Sequence, residues 1–250
     1  MGQSSDKSFW EHVDDLRALI LRIVVVVAGL CVVCFCFKEA LFSIIIAPAC
    51  PDFPLFRLMA TFSHVSFPQP DFVNTELTGQ LWSHFKMAFC AAFVLGVPYV
   101  VSEIANYLAP ALYATERRAL RFVMVGGTLL FYLGMAVAYF LVFPLAYRFL
   151  ADYVVDPSVR NLISLSSYTD NLIVMLLLMG ALFELPIVAV ALGRLGIINR
   201  QLMRRYRRHA ILGILIVTAV LTPTTDILTL LLVGMPIYVL YEVSIFCVRK

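Results

Sequence analysis

Six apolar runs dominate this sequence and limit what it can fold into. They cover residues 18–37, 87–107, 119–143, 172–195, 209–221 and 227–241. A helix needs about 20 apolar residues to cross the roughly 30 Å hydrocarbon core of a bilayer, and the first four runs reach that length. The chain is 62% hydrophobic and 14% charged, whereas soluble domains average about 45–50% and 25%. We therefore predict an all-α membrane protein with six transmembrane helices in one integral membrane domain, residues 1–250.

The last two runs are short for transmembrane helices. Residues 209–221 would form a helix of about 20 Å, which is less than the thickness of the hydrocarbon core. Such a helix must thin the bilayer locally, let its flanking residues snorkel, or shelter against other helices. Only the turn Thr222-Pro223-Thr224-Thr225-Asp226 separates the two runs, and Asp226 is placed to cap the last helix.

The lysines and arginines are unevenly distributed between the segments that connect the runs. Cytoplasmic loops of membrane proteins carry an excess of these residues. With both termini cytoplasmic, the cytoplasmic set is Lys7, Arg17, Arg22, Arg117, Arg118, Arg121, Arg194, Arg200, Arg204, Arg205, Arg207, Arg208, Arg249 and Lys250. The set on the other side is Lys38, Arg57, Lys86, Arg148 and Arg160. This bias predicts cytoplasmic N- and C-termini.

That orientation makes residues 38–86 and 144–171 periplasmic loops. The first loop is rich in proline, so we expect it to be mostly extended and turned, with a short helix at 41–47. On the cytoplasmic side, Ser8 and Glu11 fit a capping box for an amphipathic entry helix, residues 8–17, that runs into the first transmembrane helix. No cleavage site follows, which indicates a retained segment and not a secretory signal.

Carboxylates inside the apolar runs are the strongest candidates for function. Glu184 lies near the middle of the fourth run, where a charge costs about 2.5–3.5 kcal/mol on insertion scales. Such a residue is usually functional or paired, although a protonated glutamic acid bonded to a neighbouring helix would serve a structural role. Glu103 and Glu242 lie near the ends of their runs, where either role fits equally well. By the residues alone, Glu116 is an ordinary carboxylate at a helix start.

Other chemistries find little support in the sequence. The histidines are scattered, no phosphate-binding loop is present, and Cys31, Cys34 and Cys36 are interpreted as packing residues. The arginines around 204–208 form a juxtamembrane cluster, which topology and anionic lipid explain better than nucleic acid does. We therefore expect no enzymatic activity, metal, cofactor or nucleic-acid partner. The residues leave open a secondary transporter or a proton-coupled channel that uses Glu184 and Glu103.

Six short stretches form a more specific pattern. They are His12 with Leu16-Arg17; Ala47-Pro48; Tyr107-Leu108-Ala109-Pro110-Ala111-Leu112-Tyr113 with Glu116-Arg117-Arg118; Phe131-Tyr132-Leu133-Gly134-Met135-Ala136 with Tyr139 and Phe143-Pro144; Phe183-Glu184-Leu185-Pro186; and Thr222-Pro223, Asp226, Met235-Pro236-Ile237-Tyr238 and Tyr241-Glu242. Together and in this order they resemble the TatC family of the twin-arginine protein translocase, over nearly the whole chain.

The resemblance implies a function. TatC proteins bind the paired arginines of signal peptides at the cytoplasmic face of the bacterial inner membrane. They organise single-span TatA/TatB-type subunits, as oligomeric complexes, for proton-motive-force-driven export of folded proteins. The signal-peptide residues it implies are Glu116, Asp15, Arg17, Tyr107 and Arg118. The residues it implies for the partner subunits and the membrane cavity are Glu184, Asp226, Pro48 and Glu103.

The chain departs from the family pattern at a few positions. Asp15 stands where the family usually has Glu, so we expect this shorter side chain to act through water or together with Asp14. Ala18 and Leu19 occupy positions that are often basic in the family. The final turn reads Thr-Pro-Thr-Thr-Asp in place of the commoner Thr-Pro-Pro-Asp.

Overall fold

The fold is built almost entirely from helices. The structure, a computed structural model, describes residues 9–63, 70–108, 114–154, 156, 162–194, 196–221 and 227–248. Its helices are α1 (Phe9–Cys36), α2 (Lys38–Ile46), α3 (Pro54–Ser63), α4 (Gly79–Leu108), α5 (Ala114–Val137), α6 (Phe143–Asp152), α7 (Leu165–Phe183), α8 (Leu185–Arg194), α9 (Arg200–Arg205), α10 (Arg207–Leu221) and α11 (Ile227–Cys247). The predicted helical class is confirmed, apart from a two-residue parallel pair of strands.

Five stretches of the described chain are long and apolar enough to cross a membrane. They are Val13–Cys36, Lys38–Thr61, Gly79–Tyr107, Val123–Asp152 and Leu165–Gly193. Four of them coincide with the first four predicted runs, although the helices extend further than the runs. The stretch Lys38–Thr61 is not one helix, because it comprises α2, a 3₁₀ turn at Ala47–Ala49 and α3.

The segment after α1 differs from its prediction. We expected residues 38–86 to be mostly extended and turned, but α2 and α3 make much of this segment helical, and only the short helix at 41–47 is confirmed. The prolines do not interrupt these elements. Pro54 is the first residue of α3, where the missing N–H costs no internal hydrogen bond, and Pro48 lies just after α2, in the 3₁₀ turn at Ala47–Ala49. With 9 and 10 residues, neither helix alone spans a bilayer.

The last helix is longer than predicted. α10 has 15 residues and is short, as expected, but α11 has 21 residues and reaches about 31 Å. The apolar run ends before Glu242, yet the helix continues because this carboxylate has partners: Arg207 Nη2 donates to it at 2.5 Å and Tyr238 Oη at 3.1 Å. Beyond it, the buried Ile245 packs against α8 and α9. The turn with Asp226 lies outside the described residues.

Two tyrosines, the half-buried Tyr139 and the buried Tyr168, attach α2 to the rest of the protein. Pro48 has no N–H to give to the carbonyl of Ile44, four residues earlier. Tyr139 Oη donates to that carbonyl at 2.5 Å, and Tyr168 Oη donates to the next one, Ile45, at 2.8 Å. These bonds satisfy carbonyl oxygens at a helix end that packs inside the protein.

Further contacts gather α2, α3, α6 and the start of α7 at one end of the helices, which we call the cap (residues 38–63, 72–73, 143–152 and 163–170). Strands β1 (Phe72–Val73) and β2 (Ile163–Ser164) pair in parallel there. Lys86 and Asp170 form an ion pair between α4 and α7. The cap therefore connects the ends of the long helices.

Glycines allow α5 and α7 to cross closely. A Cβ on Gly134 would lie 2.6 Å from the backbone oxygen of Met179 and 2.7 Å from the ring of Phe183. A Cβ on Gly180 would lie 2.7 Å from the ring of Phe131. Close backbone approach at small residues is a common basis of helix association in membranes. This crossing sets the position of the fourth predicted transmembrane helix.

We predict that Gly134→Ala destabilises the protein by about 1–3 kcal/mol, because the added methyl meets backbone that cannot move aside. The matched control is Gly29→Ala in α1, where a Cβ meets nothing within 4 Å. That substitution should leave stability unchanged or raise it by about 0.5–1 kcal/mol. Thermal unfolding of the purified protein in detergent measures both, and equal effects would contradict the close crossing.

Candidate functional site

Helices α1 and α4 pack antiparallel along their length. Near the cap, the ring of Phe35 stacks on His84 with centroids 4.1 Å apart. Further from the cap, Arg22 Nη1 lies 3.2 Å from Glu103 Oε2. This pairing places the first turns of α1 beside the last turn of α4, at the end opposite the cap. Asp15 on α1 lies on the same helix face as Arg22, since seven residues make about two turns.

The first turns of α5 lie at this same end. α4 and α5 also run antiparallel, because Tyr132 Oη donates to the Val94 carbonyl at 2.7 Å, and Asn106 and Arg121 line one groove between the two helices. The backbone of Glu116, five residues before Arg121, therefore lies about 7.5 Å further along the axis, away from the cap. α4 ends at Leu108 and α5 begins at Ala114.

The structure thus brings all the implied signal-peptide residues to one end of the protein. Asp15 and Arg17 come from α1 and are exposed, and Tyr107 comes from the last turn of α4. Glu116 and Arg118 lie in the first two turns of α5. Three separate helices converge on this end, which we call the convergent end. Asp15 and Arg17 bring an exposed carboxylate and an exposed guanidinium to this end.

A groove leads from the convergent end along α4 and α5. Its volume is 530 Å³ and its walls are mostly apolar, with Val101, Met124 and Leu129 among them. Asn106 and Arg121 line the part nearest the convergent end. Pro98 also contributes to the wall, from inside α4. Its shape and lining suit an apolar chain whose end is polar.

Glu103 is neutralised by an arginine from the neighbouring helix. Its side chain is 15% exposed and Arg22 is its ion-pair partner. The sequence pattern did not predict this ion pair. A signal was available, because each charge lies in or beside an apolar run, and opposite charges at membrane depth usually pair.

Glu184 lies where α7 passes into α8. Pro186 has no N–H to donate to the carbonyl of Leu182. The N–H of Glu184 donates to the Ala181 carbonyl at 3.1 Å. Its half-buried carboxylate packs on α5, since a Cβ on Gly127 would lie 2.8 Å from Oε2. Within the described part of the chain, no group donates a hydrogen bond to this carboxylate. A carboxylate at membrane depth without an internal donor is costly.

The residues implied for the partner subunits and the cavity do not form one cluster. Pro48 is buried in the cap, three residues after Ile45, whose carbonyl accepts a hydrogen bond from Tyr168. Glu184 lies 16 residues after Tyr168, about 24 Å further along the helix axis. Glu103 faces α1, and Asp226 lies outside the described residues. The geometry therefore separates these positions.

Comparisons with known proteins all point to one protein family. Residues 11–236 match the family model of the Sec-independent protein translocase protein (TatC). The chain is 34% identical over 243 residues to TatC of Deinococcus radiodurans, covering 96% of this chain and 85% of that protein. It is 30% identical over 240 residues to TatC of Escherichia coli K12, covering 95% and 86%.

A solved structure is similar over the same length. The crystal structure of the twin-arginine translocase receptor TatC in the detergent DDM superposes with a TM-score of 0.76 at 26% identity. The superposition covers 96% of this chain and 100% of that chain. The fold described above is therefore similar to an experimentally determined one over most of its length.

We predict that Arg22 and Glu103 are energetically coupled. Arg22→Gln should destabilise the protein by about 1–3 kcal/mol, because it leaves the Glu103 carboxylate, which is 15% exposed, without its partner. Glu103→Gln should cost less, because the Arg22 side chain that it leaves unpaired is 59% exposed. The double variant should lose less than the sum of the single losses. Thermal unfolding of all four proteins in detergent gives the coupling, and additive losses would show that the pair contributes nothing.

Proposed function

This chain belongs to the TatC family of Sec-independent protein translocase proteins, and from this we propose that it is the receptor for twin-arginine signal peptides. In this proposal it also forms the core of the translocase that exports folded proteins across the bacterial inner membrane, driven by the proton-motive force and without enzymatic activity of its own. The observation that carries the proposal is the convergence of Asp15, Tyr107 and Glu116 from three helices on one end.

The proposed topology has six membrane crossings, with both termini and the convergent end in the cytoplasm. The charge bias along the sequence supports it. The cap, within the segments 38–86 and 144–171, then lies on the periplasmic side, and residues 8–17 form the cytoplasmic entry to α1. In this orientation the carboxylates face the compartment in which precursor proteins are made.

Recognition of two arginines suits the chemistry of the convergent end. A guanidinium presents donors in a planar fork that a carboxylate accepts bidentately, and a lysine cannot reproduce this geometry. We assign the principal contact to Glu116 and the second to Asp15. Tyr107 offers a ring face to a guanidinium, and we assign Arg17 and Arg118 to the same signal-peptide site.

Glu184 supports the proposed assembly with single-span TatA/TatB-type subunits. Its carboxylate is half-buried beside Gly127, and the described chain supplies no donor. A polar group on a partner helix would satisfy it and lower the cost of its burial. The short α10 nearby would favour a locally thinned bilayer. Normal bilayer thickness around a working complex would contradict the thinning.

The alternative of a secondary transporter gains no support from the geometry. It would use Glu184 and Glu103 as carriers of a coupled proton. Glu103 forms an ion pair with Arg22, whereas Glu184 faces α5. The two carboxylates therefore do not share a site.

We predict that Glu116→Gln weakens binding of a twin-arginine signal peptide by about 1–3 kcal/mol, the range for hydrogen bonds to charged groups. A twin-lysine peptide should bind the unaltered protein more weakly by a similar amount. Asp15→Asn should weaken binding as well, whereas Asp15→Glu should preserve it. Fluorescence anisotropy with a labelled peptide and the purified protein in detergent measures each affinity.

The matched control for this experiment is Glu39→Gln, which removes an exposed carboxylate from α2 in the cap. It changes the net charge equally but should leave affinity unchanged. If Glu39→Gln weakens binding as much as Glu116→Gln does, overall charge and not the convergent end controls binding. Equal affinity for both peptides would exclude the receptor role.

We predict that Glu184→Leu separates partner assembly from peptide binding. It should reduce co-purification of single-span partner subunits about three- to thirtyfold, the range expected from interhelical hydrogen bonds in membranes. Twin-arginine peptide affinity should stay within about twofold, because Glu184 lies well away from the convergent end. Glu184→Gln, which keeps the shape and a hydrogen-bonding group, should lose less. Unchanged co-purification in Glu184→Leu would refute the assignment.

A further inference from the structure

Arginines are concentrated at the connection between α8 and α10. They are Arg200, Arg204, Arg205, Arg207 and Arg208. Arg207 is paired, because its Nη2 donates to Glu242 Oε2 at 2.5 Å. For the other four, the described residues provide no carboxylate within ion-pair distance. Four positive charges therefore lie together with no counter-charge among the described residues, and such a cluster attracts an external anion.

Two of these arginines line a cavity. Asn199, Arg200, Gln201 and Arg204 enclose a volume of 350 Å³. The side chain of Asn199 accepts a hydrogen bond from the N–H of Leu202 at 2.7 Å and so fixes the start of α9. Arg200 Nε is buried and has no hydrogen-bond partner among the described residues. Guanidinium groups bind phosphate oxygens bidentately, and this cavity supplies two of them.

An exposed apolar surface borders the cavity. The guanidinium of Arg200 lies over the ring of Phe246, 5.3 Å from its centroid. Phe246 is 67% exposed and Ile197 is 63% exposed. α9 connects two helices of a membrane protein, so this surface lies near the boundary between headgroups and acyl chains. Arginines beside exposed apolar and aromatic side chains suit that boundary.

We propose that this cavity binds the phosphate headgroup of an anionic phospholipid, whose acyl chains extend along Phe246 and Ile197. A free phosphate would use the arginines but not the apolar surface. An acidic peptide would have to cover side chains that favour hydrocarbon. The lipid satisfies both parts of the surface, and juxtamembrane arginines attract anionic headgroups.

The bound lipid would stabilise the position of the last two helices, α10 and α11. Tyr241 Oη donates to the Met203 carbonyl at 2.8 Å, which attaches α9 to α11. The buried Met203 packs in one cluster with Ile245 and Val248. A headgroup held by Arg200 and Arg204 therefore fixes α9 at the membrane surface, together with the start of α10.

The test compares two double variants of the full chain that remove equal charge. Arg200→Gln/Arg204→Gln removes the arginines that line the cavity, whereas Arg205→Gln/Arg208→Gln removes two that do not. Binding of tail-labelled phosphatidylglycerol and phosphatidylcholine to the purified protein in detergent is measured by energy transfer from the native tryptophans. We expect the unaltered protein to prefer phosphatidylglycerol about ten- to thirtyfold. The cavity variant should lose this preference, and the matched variant should keep it to within about twofold.

Other outcomes would overturn the proposal. Equal losses in both double variants would indicate diffuse surface charge without a defined site. Equally effective displacement of the labelled lipid by glycerol phosphate or by an acidic peptide would indicate one of those ligands instead. If the cavity variant does not fold, Arg204→Gln alone, at an exposed position, should show about half of the loss on a logarithmic scale. An unchanged lipid preference in that variant would also refute the site.

Discussion

The hydrocarbon core offers no hydrogen bonds, and the structure depends on this constraint. A backbone or charged group at membrane depth must find its partner inside the protein or in a neighbouring subunit. The carbonyl that Pro48 leaves without a helical donor receives the hydroxyl of Tyr139. The charge of Arg22 inside α1 is matched by Glu103 on α4. In both places a side chain from another helix supplies the missing polar partner.

Glu184 does not follow this pattern within the described chain, and its position explains why it is informative. The close crossing at Gly134 and Gly180 presses α7 against α5. Further along the same two helices, the Glu184 carboxylate packs against Gly127, which has no side chain that could donate a hydrogen bond. Packing that is tight enough to bring the helices together also removes the room for an internal partner. An unsatisfied carboxylate at such a crossing is what a partner helix with a polar group would recognise.

Hydropathy predicted the long helices because an apolar run of bilayer length has few other structures available to it. In the proline-rich segment the sequence predicted only the short helix at 41–47, which corresponds to α2, and it did not predict α3. Pro54 favours an interrupted helix anywhere except in a first turn, and only the structure shows that it begins α3. Hydropathy also ended the last helix before Glu242, whose partner Arg207 is 35 positions away in the sequence. The contact of Glu184 with Gly127 depends on a crossing between helices, and no local pattern encodes that crossing.

The Arg22–Glu103 pair bears on the departure at Asp15. Asp is shorter than Glu by one carbon–carbon bond, about 1.5 Å. α1 could recover that reach by sliding along α4, but the ion pair at 3.2 Å and the stacking of Phe35 on His84 fix the register at two points. A helix held at both ends of its contact cannot shift without losing one of them. If Asp15 has the proposed role in the receptor site, we expect the missing length to be supplied locally, by a bridging water or by the neighbouring carboxylate of Asp14.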